Sequence, residues 1–376
     1  MLFRLIRKEI AHNVLSLRFA ITYALLFLLV LMALFLMTGD YQGRRQEYSS
    51  ALAKERAQLA KLEAIQDPSE LLQEYQRASF TGIREPSGLS ILARGLDAVL
   101  PTRVVSSGYM RFLTSEDRLN RNRFFEVFQA PDLVYVVNVV ASLLALLFVF
   151  DAVCGEKERG TLKLLLANSV PRDLVLLGKW IGGYLSLAVP LVAAALAGLI
   201  YVRISGGMTV GGEVVTRFLL ILGLALLYLS ACFTLGLMIS ALTHRPATSL
   251  LVCLLVWIGG ILIVPNLAPV AGRLAAPVPD RQVIEAEKQA INRESQLLQD
   301  ALRRRKVYGG QESEQLQQDA TRRVQKLEEF YQDRLASQVS MTQNLARLSP
   351  SASFLFAATG LAGTGPVLSR QFVAAR

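Results

Sequence analysis

The chain has 376 residues, 52% of them hydrophobic, and a formal net charge of +10. A soluble domain rarely carries so much apolar sequence, and here it lies in five blocks of roughly 20 residues. The positive balance carries no zinc spacing, no RNA-binding signature and no aromatic–basic alternation, so it does not point to nucleic acid; it fits basic residues that flank membrane spans.

Residues 1–18 precede the first apolar block and carry Arg4, Arg7, Lys8 and Arg18. The first apolar block, Phe19 to Met37, is uncharged and long enough to cross a bilayer as a helix. It is too long for a signal-peptide core, and no small-residue cleavage site follows it. Residues 38–131 then form a polar insertion read as a helical domain. Tyr48, Leu52, Leu59, Leu62, Leu72 and Tyr75 recur near helical spacing, Pro68 interrupts the run and Pro86 ends it.

The second span occupies 132–154, with its apolar core from Leu133 to Phe150, and a charged segment follows over 155–180. Three more blocks, Ile181–Val202, Phe218–Leu242 and Ala247–Ala268, fill 181–268. Pro190 is expected to kink the third span, and Pro265 and Pro269 to mark the end of the fifth. Gly178/Gly182 and Ala194/Gly198 offer small faces for close helix packing. Asn138, Tyr228, Ser230 and Thr234 are read as interhelical hydrogen-bonding groups, each worth about 0.6 kcal/mol.

Residues 269–376 read as a helical hairpin and tail. Ile284, Ile291, Leu298 and Leu302 make one stripe, Tyr308-Gly309-Gly310 a break, and Val324, Leu327, Tyr331, Leu335, Leu345 and Leu348 a second stripe before Pro350. Basic residues concentrate in the N-terminus, the 155–180 segment and the Arg245 turn, which places these in the cytoplasm and both long insertions outside. The fold class is therefore an all-α polytopic membrane bundle with helical extracytoplasmic insertions.

Cys154, Cys232 and Cys253 lie in or beside apolar blocks, and His12 and His244 are far apart, so neither a metal site nor a disulfide in the polar segments is indicated. There is no intramembrane His/Asp/Glu cluster and no visible Ser/His pairing, so no catalytic site is expected. No ionisable residue sits in mid-span, which argues against a proton- or ion-driven carrier.

The informative stretch is Glu156-Lys157-Glu158-Arg159-Gly160-Thr161-Leu162, continuing to Leu165 and Pro171. A charged cluster closes a span, Gly160 permits a bend, Thr161 can cap a helix, and the leucines around Lys163 build a short interfacial helix. Such a helix can dock a cytosolic partner. Gly155 to Thr161 is not a phosphate loop: Thr161 stands where a lysine is needed, and Glu156 and Glu158 repel phosphate. Any ATP must be bound by another chain.

With this Glu-x-Glu-x-Gly-Thr core just after the second span, the chain resembles a permease of the type 2 ABC exporters, in the bacterial branch with long periplasmic insertions; the basic stretch Leu5-Ile6-Arg7-Lys8-Glu9-Ile10 fits that family's amphipathic entry helix, which the resemblance places in the cytoplasm over residues 1–18. The resemblance implies that Glu156 to Pro171 is a coupling helix seated on a separate ATPase, with Glu156, Lys157, Glu158, Arg159, Gly160, Thr161, Leu162, Leu165 and Pro171 at that contact. It further implies two permease chains, identical or sister, and an ATPase dimer that binds ATP and magnesium, in a bacterial inner membrane. Family members usually have six spans, so the chain is expected to be truncated before its sixth; Ala352 to Gly365 resembles the stretch preceding it. The alternative is a membrane-anchored envelope scaffold without transport.

Overall fold

The computed structural model describes residues 2–95, 103–107, 110–114, 131–162, 167, 171–206, 211–304 and 311–365. The chain forms two compact units, residues 1–257 with 354–376, and residues 258–353.

In the first unit, α1 (Leu2–Val14) is followed by α2 (Leu17–Glu63), whose N-terminus is capped by Ser16: its hydroxyl oxygen accepts from the Phe19 amide at 3.2 Å. A boundary at residue 38 is not a helix boundary. The apolar block and the amphipathic run after it are one 47-residue helix, about 70 Å long at the α-helical rise. Thr38-Gly39-Asp40-Tyr41 fails to break it because one interior glycine costs only about 1 kcal/mol, and the Thr38 hydroxyl is satisfied within the helix by donating to the Leu34 carbonyl at 2.7 Å.

The first true break comes at Pro68, which opens α3 (Pro68–Arg77) behind an Asp67 cap. Asp67 accepts from the Ser69 amide at 3.0 Å, and this bond, with a second from the Ser69 hydroxyl, holds its carboxyl below the ordinary carboxylate range.

The helical reading of 38–131 needs correction beyond α3. The strands β1 (Ser79–Ile83), β2 (Arg103–Ser107) and β3 (Met110–Thr114) form a three-stranded antiparallel sheet in that order. Ser79 pairs with Ser107 and Ile83 with Arg103 across β1 and β2. Five-residue strands rich in β-branched and aromatic residues leave too short a pattern to compete with the strong helical stripe upstream. The class nonetheless stays that of a helical membrane bundle.

The second span, α4 (133–149), contains a π-helical turn at Val136–Ala141. Asp132 caps it, accepting from the Tyr135 amide at 2.6 Å and from the Arg94 amide at 2.8 Å. After the short helix α5 (Cys154–Glu158) come α6 (Arg172–Ile204), α7 (Gly212–Leu242) and α8 (Pro246–Ala275). The five expected apolar blocks thus fall on five helices long and apolar enough to cross a membrane. The fifth does not end at its prolines. α8 continues through Pro265 and Pro269 to Ala275, and a π-helical turn at Ile258–Ile263 ends two residues before Pro265, shifting the hydrogen-bond ladder near a prolyl nitrogen that cannot donate. α6 likewise runs through Pro190 as one continuous helix.

The core of this unit gathers Leu26, Val30 and Leu34 from α2, Val134 and Val137 from α4, Leu191 and Ala194 from α6, and Phe218 and Leu229 from α7. From α11 (Pro350–Leu361), Phe354 joins it, stacked on Tyr228 with ring centroids 4.7 Å apart. Of the polar residues expected to bond between helices, Tyr228 and Thr234 do so, Ser230 accepts from Thr234 within α7, and the Asn138 Oδ1 is buried without a hydrogen-bond partner among the described residues. Tyr228 donates to the Asn138 carbonyl at 3.1 Å, and Trp180 donates to the Thr234 hydroxyl at 2.9 Å.

In the second unit, α9 (Arg281–Arg304) and α10 (Gln311–Ala346) form the anticipated antiparallel hairpin. Its direction is read from two cross-links: Lys288 pairs with Glu328, while Glu294, further along, pairs with the earlier Arg323 at 3.1 Å. Ile284 and Ile291 of the first stripe are buried; Leu298 is exposed. The expected Tyr308-Gly309-Gly310 break lies outside the described residues. α10 also lies close against α8: a Cβ at Gly272 would stand 2.0 Å from the Thr342 hydroxyl.

The Lys288–Glu328 bridge predicts how the hairpin responds to pH. Partial burial disfavours the Lys288 ammonium, but its hydrogen bond to Glu328 and the charges of Glu328 and Glu285 outweigh this and raise its pKa. Glu328 is lowered by its bond from Lys288, with help from Gln332. The Lys288 contribution is complete below the ordinary value of 10.5 and fades as pH rises through the raised value. The Glu328 contribution is complete above 4.5 and fades as pH falls through the lowered value. Hydrogen-exchange protection of the hairpin, taken relative to the intrinsic rate at each pH, is expected to be greatest between those limits. Glu328→Gln should abolish the acid-side dependence at a cost below about 1 kcal/mol, since the pair is partly solvated.

Candidate coupling site at the charged end of the bundle

The segment singled out in the sequence begins where α4 ends. Val153 and Cys154 present their amides to the fully buried Ser240 hydroxyl of α7, at 3.0 and 3.2 Å, so the first turn of α5 is capped from another span. Phe150 is tied similarly: its carbonyl accepts from the Ser249 hydroxyl of α8 at 2.7 Å. These bonds fix α5 rigidly under the bundle.

The four charged residues that follow separate into an inner and an outer pair. Glu156 turns inward and accepts from Lys179 of α6 at 2.8 Å. Lys157 reaches the C-terminus of α7, donating to the carbonyls of Ala241 and, at 3.1 Å, Thr243. That is the position where a cation best complements unsatisfied carbonyls and the helix dipole. Glu158 and Arg159 are exposed. Glu158 makes no ion pair among the described residues, and Arg159 only bonds back to the Gly155 carbonyl at 3.1 Å.

Gly160 sits at φ +73°, a left-handed turn that an L side chain would strain. The exposed Thr161 donates weakly to the Glu156 carbonyl at 3.4 Å, while any capping bond to the turn beyond it falls outside the described residues. Leu162 packs beside Val149, Val153, Phe233 and Leu237. Leu165 lies outside the described residues, and Pro171 stands immediately before α6.

Lys179 is the residue that composition and spacing did not single out. Its side chain is only 5% exposed, and it bridges Glu156 to Glu9 of α1, the latter at 3.0 Å. A buried lone ammonium is prohibitive, and two carboxylates around one ammonium supply the required counter-charge. Three elements therefore meet on one nitrogen: the lead-in helix, the segment after the second span, and the first turns of the third. One signal was present in the sequence. Glu9 interrupts the apolar stripe Leu2, Leu5, Ile6, Ile10 of α1, and a charge on a buried face calls for a partner.

Close packing reinforces the junction. The Gly178/Gly182 face receives α1: a Cβ on Gly178 would stand 3.1 Å from that of Leu5, and one on Gly182 would stand 2.7 Å from that of Glu9 and 3.3 Å from the Ile6 carbonyl. The second small face, Ala194/Gly198, receives Leu34 of α2. Gly182→Leu is therefore expected to push α1 off α6, since backbone as well as side chain blocks the space. The expected cost is about 2 kcal/mol, read as faster protease cleavage within residues 1–18 while the rest of the bundle stays intact. Arg18 completes the contact by pairing with Asp151 at 2.7 Å and lying over the Phe150 ring at 5.5 Å.

Among the described residues no group of three or more His, Cys, Asp or Glu is arranged to hold a metal ion. What the arrangement shows instead is an exposed acidic–basic pair on the surface of α5 and a buried ionic joint behind it.

Comparison with known proteins agrees with this architecture. Residues 3–372 match the family model described as ABC-2 family transporter protein. The chain is also 42% identical, over 69 residues, to a probable ABC transporter permease protein, NosY, of Stutzerimonas stutzeri; the match covers 17% of this chain and about a quarter of that protein's length. The near-complete family match, on a helical bundle with five candidate spans, identifies the chain as a member of the ABC-2 transporter family and a membrane subunit of an ABC transporter.

Proposed function

We propose that this chain is the permease of an ATP-driven exporter, and that the Glu156–Pro171 segment is where a separate ATPase subunit delivers its stroke. The observation that carries this reading is the division of charges at α5. Glu158 and Arg159 are displayed outward, while Glu156 and Lys157 are locked into α6 and α7. A push on the outer pair is passed to the third and fourth spans through those bonds, and through Lys179 to α1. ATP and magnesium belong to the partner, consistent with the lack of a phosphate loop in this sequence.

The complex then has two permease chains and an ATPase dimer in a bacterial inner membrane. The N-terminus and α5 face the cytoplasm, and the sheet and the α9–α10 hairpin face outward. The basic residues of α1 and of the 155–180 segment support this orientation.

Cysteine accessibility in intact cells tests the topology. Ala167→Cys, at an exposed position, is expected to resist a membrane-impermeant maleimide until the cells are opened, whereas Gln332→Cys in α10 reacts at once. The reverse pattern overturns the assignment. Co-purification tests the partner: deletion of 156–171 should release a Walker-motif ATPase that the full chain retains. Retention after the deletion would favour a scaffold that contacts its partners elsewhere.

A further inference from the structure

Above the membrane-embedded part of α2, one helix face borders a cavity of about 350 Å³, within the size range of small-ligand sites. Tyr41, Arg45, Tyr48, Leu52 and Arg56 recur at helical spacing along that face, and Glu85 and Pro86 close the opposite wall. Exposed arginines are common, and one alone would mean little. Here two stand on the same face, neither makes a hydrogen bond or ion pair among the described residues, and Glu85 is the only carboxylate in the lining. Tyr41, on the membrane side of Arg45, is 7% exposed, and between the two arginines the half-buried Tyr48 and Leu52 supply aromatic and apolar surface beside the exposed Ser49 and Ala53.

We propose that this cavity binds an amphipathic anion, a phosphate-bearing molecule with an apolar portion. Arg45 lies eight residues beyond Met37, about 12 Å along the helix axis. Helical side chains lean toward the N-terminus, which here means toward the membrane, so its guanidinium reaches the level of lipid headgroups. A planar guanidinium is the side chain best matched to a phosphate, and the tyrosines flank it with ring faces and hydroxyl donors. Leu52 and Pro86 receive the apolar portion. Arg56, about 16 Å further along the axis, draws the ligand outward along the helix. A phospholipid and a free phosphorylated metabolite share this chemistry. The apolar wall and the height above the membrane favour the phospholipid. The inference concerns α2 and the Glu85–Pro86 wall facing it, and does not depend on the ATPase assignment.

Binding to the purified full chain tests it, with dihexanoyl phosphatidylglycerol, dihexanoyl phosphatidylcholine and inorganic phosphate as probes. Saturable phosphatidylglycerol binding is expected, at least tenfold weaker in Arg45→Gln/Arg56→Gln. Lys54→Gln/Lys61→Gln removes equal charge from the opposite face of the same helix and should leave binding within twofold of the original. Phosphatidylcholine is expected to bind more weakly than phosphatidylglycerol, and inorganic phosphate more weakly still. Equal loss in both double variants would reduce the effect to general electrostatics and overturn the site. Inorganic phosphate binding as tightly as the lipid would overturn the lipid as occupant, and absence of saturable binding to the folded chain would overturn the proposal outright. Unchanged thermal unfolding of the Arg45→Gln/Arg56→Gln variant shows that the loss is not a folding defect.

Discussion

Replacing Lys179 with methionine is expected to destabilise the chain by about 3 kcal/mol, the lower end for breaking a buried ionic cluster. The ammonium is nearly inaccessible, at 5% exposure, and Glu9 and Glu156 are at 18% and 19%. Without the cation, two carboxylates face each other with little water, and Glu156 Oε2 is already buried without a hydrogen-bond partner. The two carboxylates repel, one turns away toward water, and α1 loosens from α6. The loss should appear as earlier thermal aggregation in detergent and as cleavage of the freed α1. The triple variant Glu9→Gln/Lys179→Met/Glu156→Gln removes all three charges together and should recover much of the stability, because the ionic desolvation cost disappears and the two amides can bond each other. Wild-type stability in Lys179→Met alone would mean that the triad does not hold these elements together.

Reversing the exposed pair, Glu158→Lys/Arg159→Glu, is the second large effect, and it falls on the partner rather than on the fold. Both residues face solvent, and only the Arg159 bond to the Gly155 carbonyl is lost, so stability should change by no more than about 0.5 kcal/mol. Affinity for the ATPase is expected to fall about tenfold or more, mostly through like-charge juxtaposition at the contact. Glu156→Gln should behave oppositely. Binding survives while stimulation of ATP hydrolysis drops, since Glu156 bonds to Lys179 behind the contact surface. Measuring affinity and stimulated ATPase rate for both variants separates recognition from transmission. Identical behaviour of the two variants would defeat the division into outer and inner pairs.

That division also shows where reading from sequence reached its limit. Four consecutive charges look equivalent in a string. The face of α6 that carries Lys179 and the C-terminus of α7 decide which of them have partners, and that is a property of helix packing. Ser240 illustrates the same point: a serine near the end of an apolar run carries no local sign that it caps another helix more than eighty residues away.

The small faces on α6 were legible as packing surfaces, because glycines four apart expose backbone on one side of a helix. Their occupants, α1 for one and α2 for the other, were not. Conversely, the long continuity of α2 could have been recovered from propensity alone, since nothing between Phe19 and Glu63 forbids a helix.

What the sequence by itself determined is everything governed by local composition over about 20 residues: the membrane class, the five spans and their order, the two polar insertions, the antiparallel hairpin, and the place of the charged segment. Bilayer thickness and helical periodicity impose those patterns on any chain that crosses a membrane. Only the tertiary structure decided the sheet after α3, whose five-residue strands become stable through pairing across a gap in the sequence, and the ionic joint at Lys179, whose members are separated by 23 and 170 residues. Both arise from contacts between distant segments, where burial, rather than local preference, selects the partner.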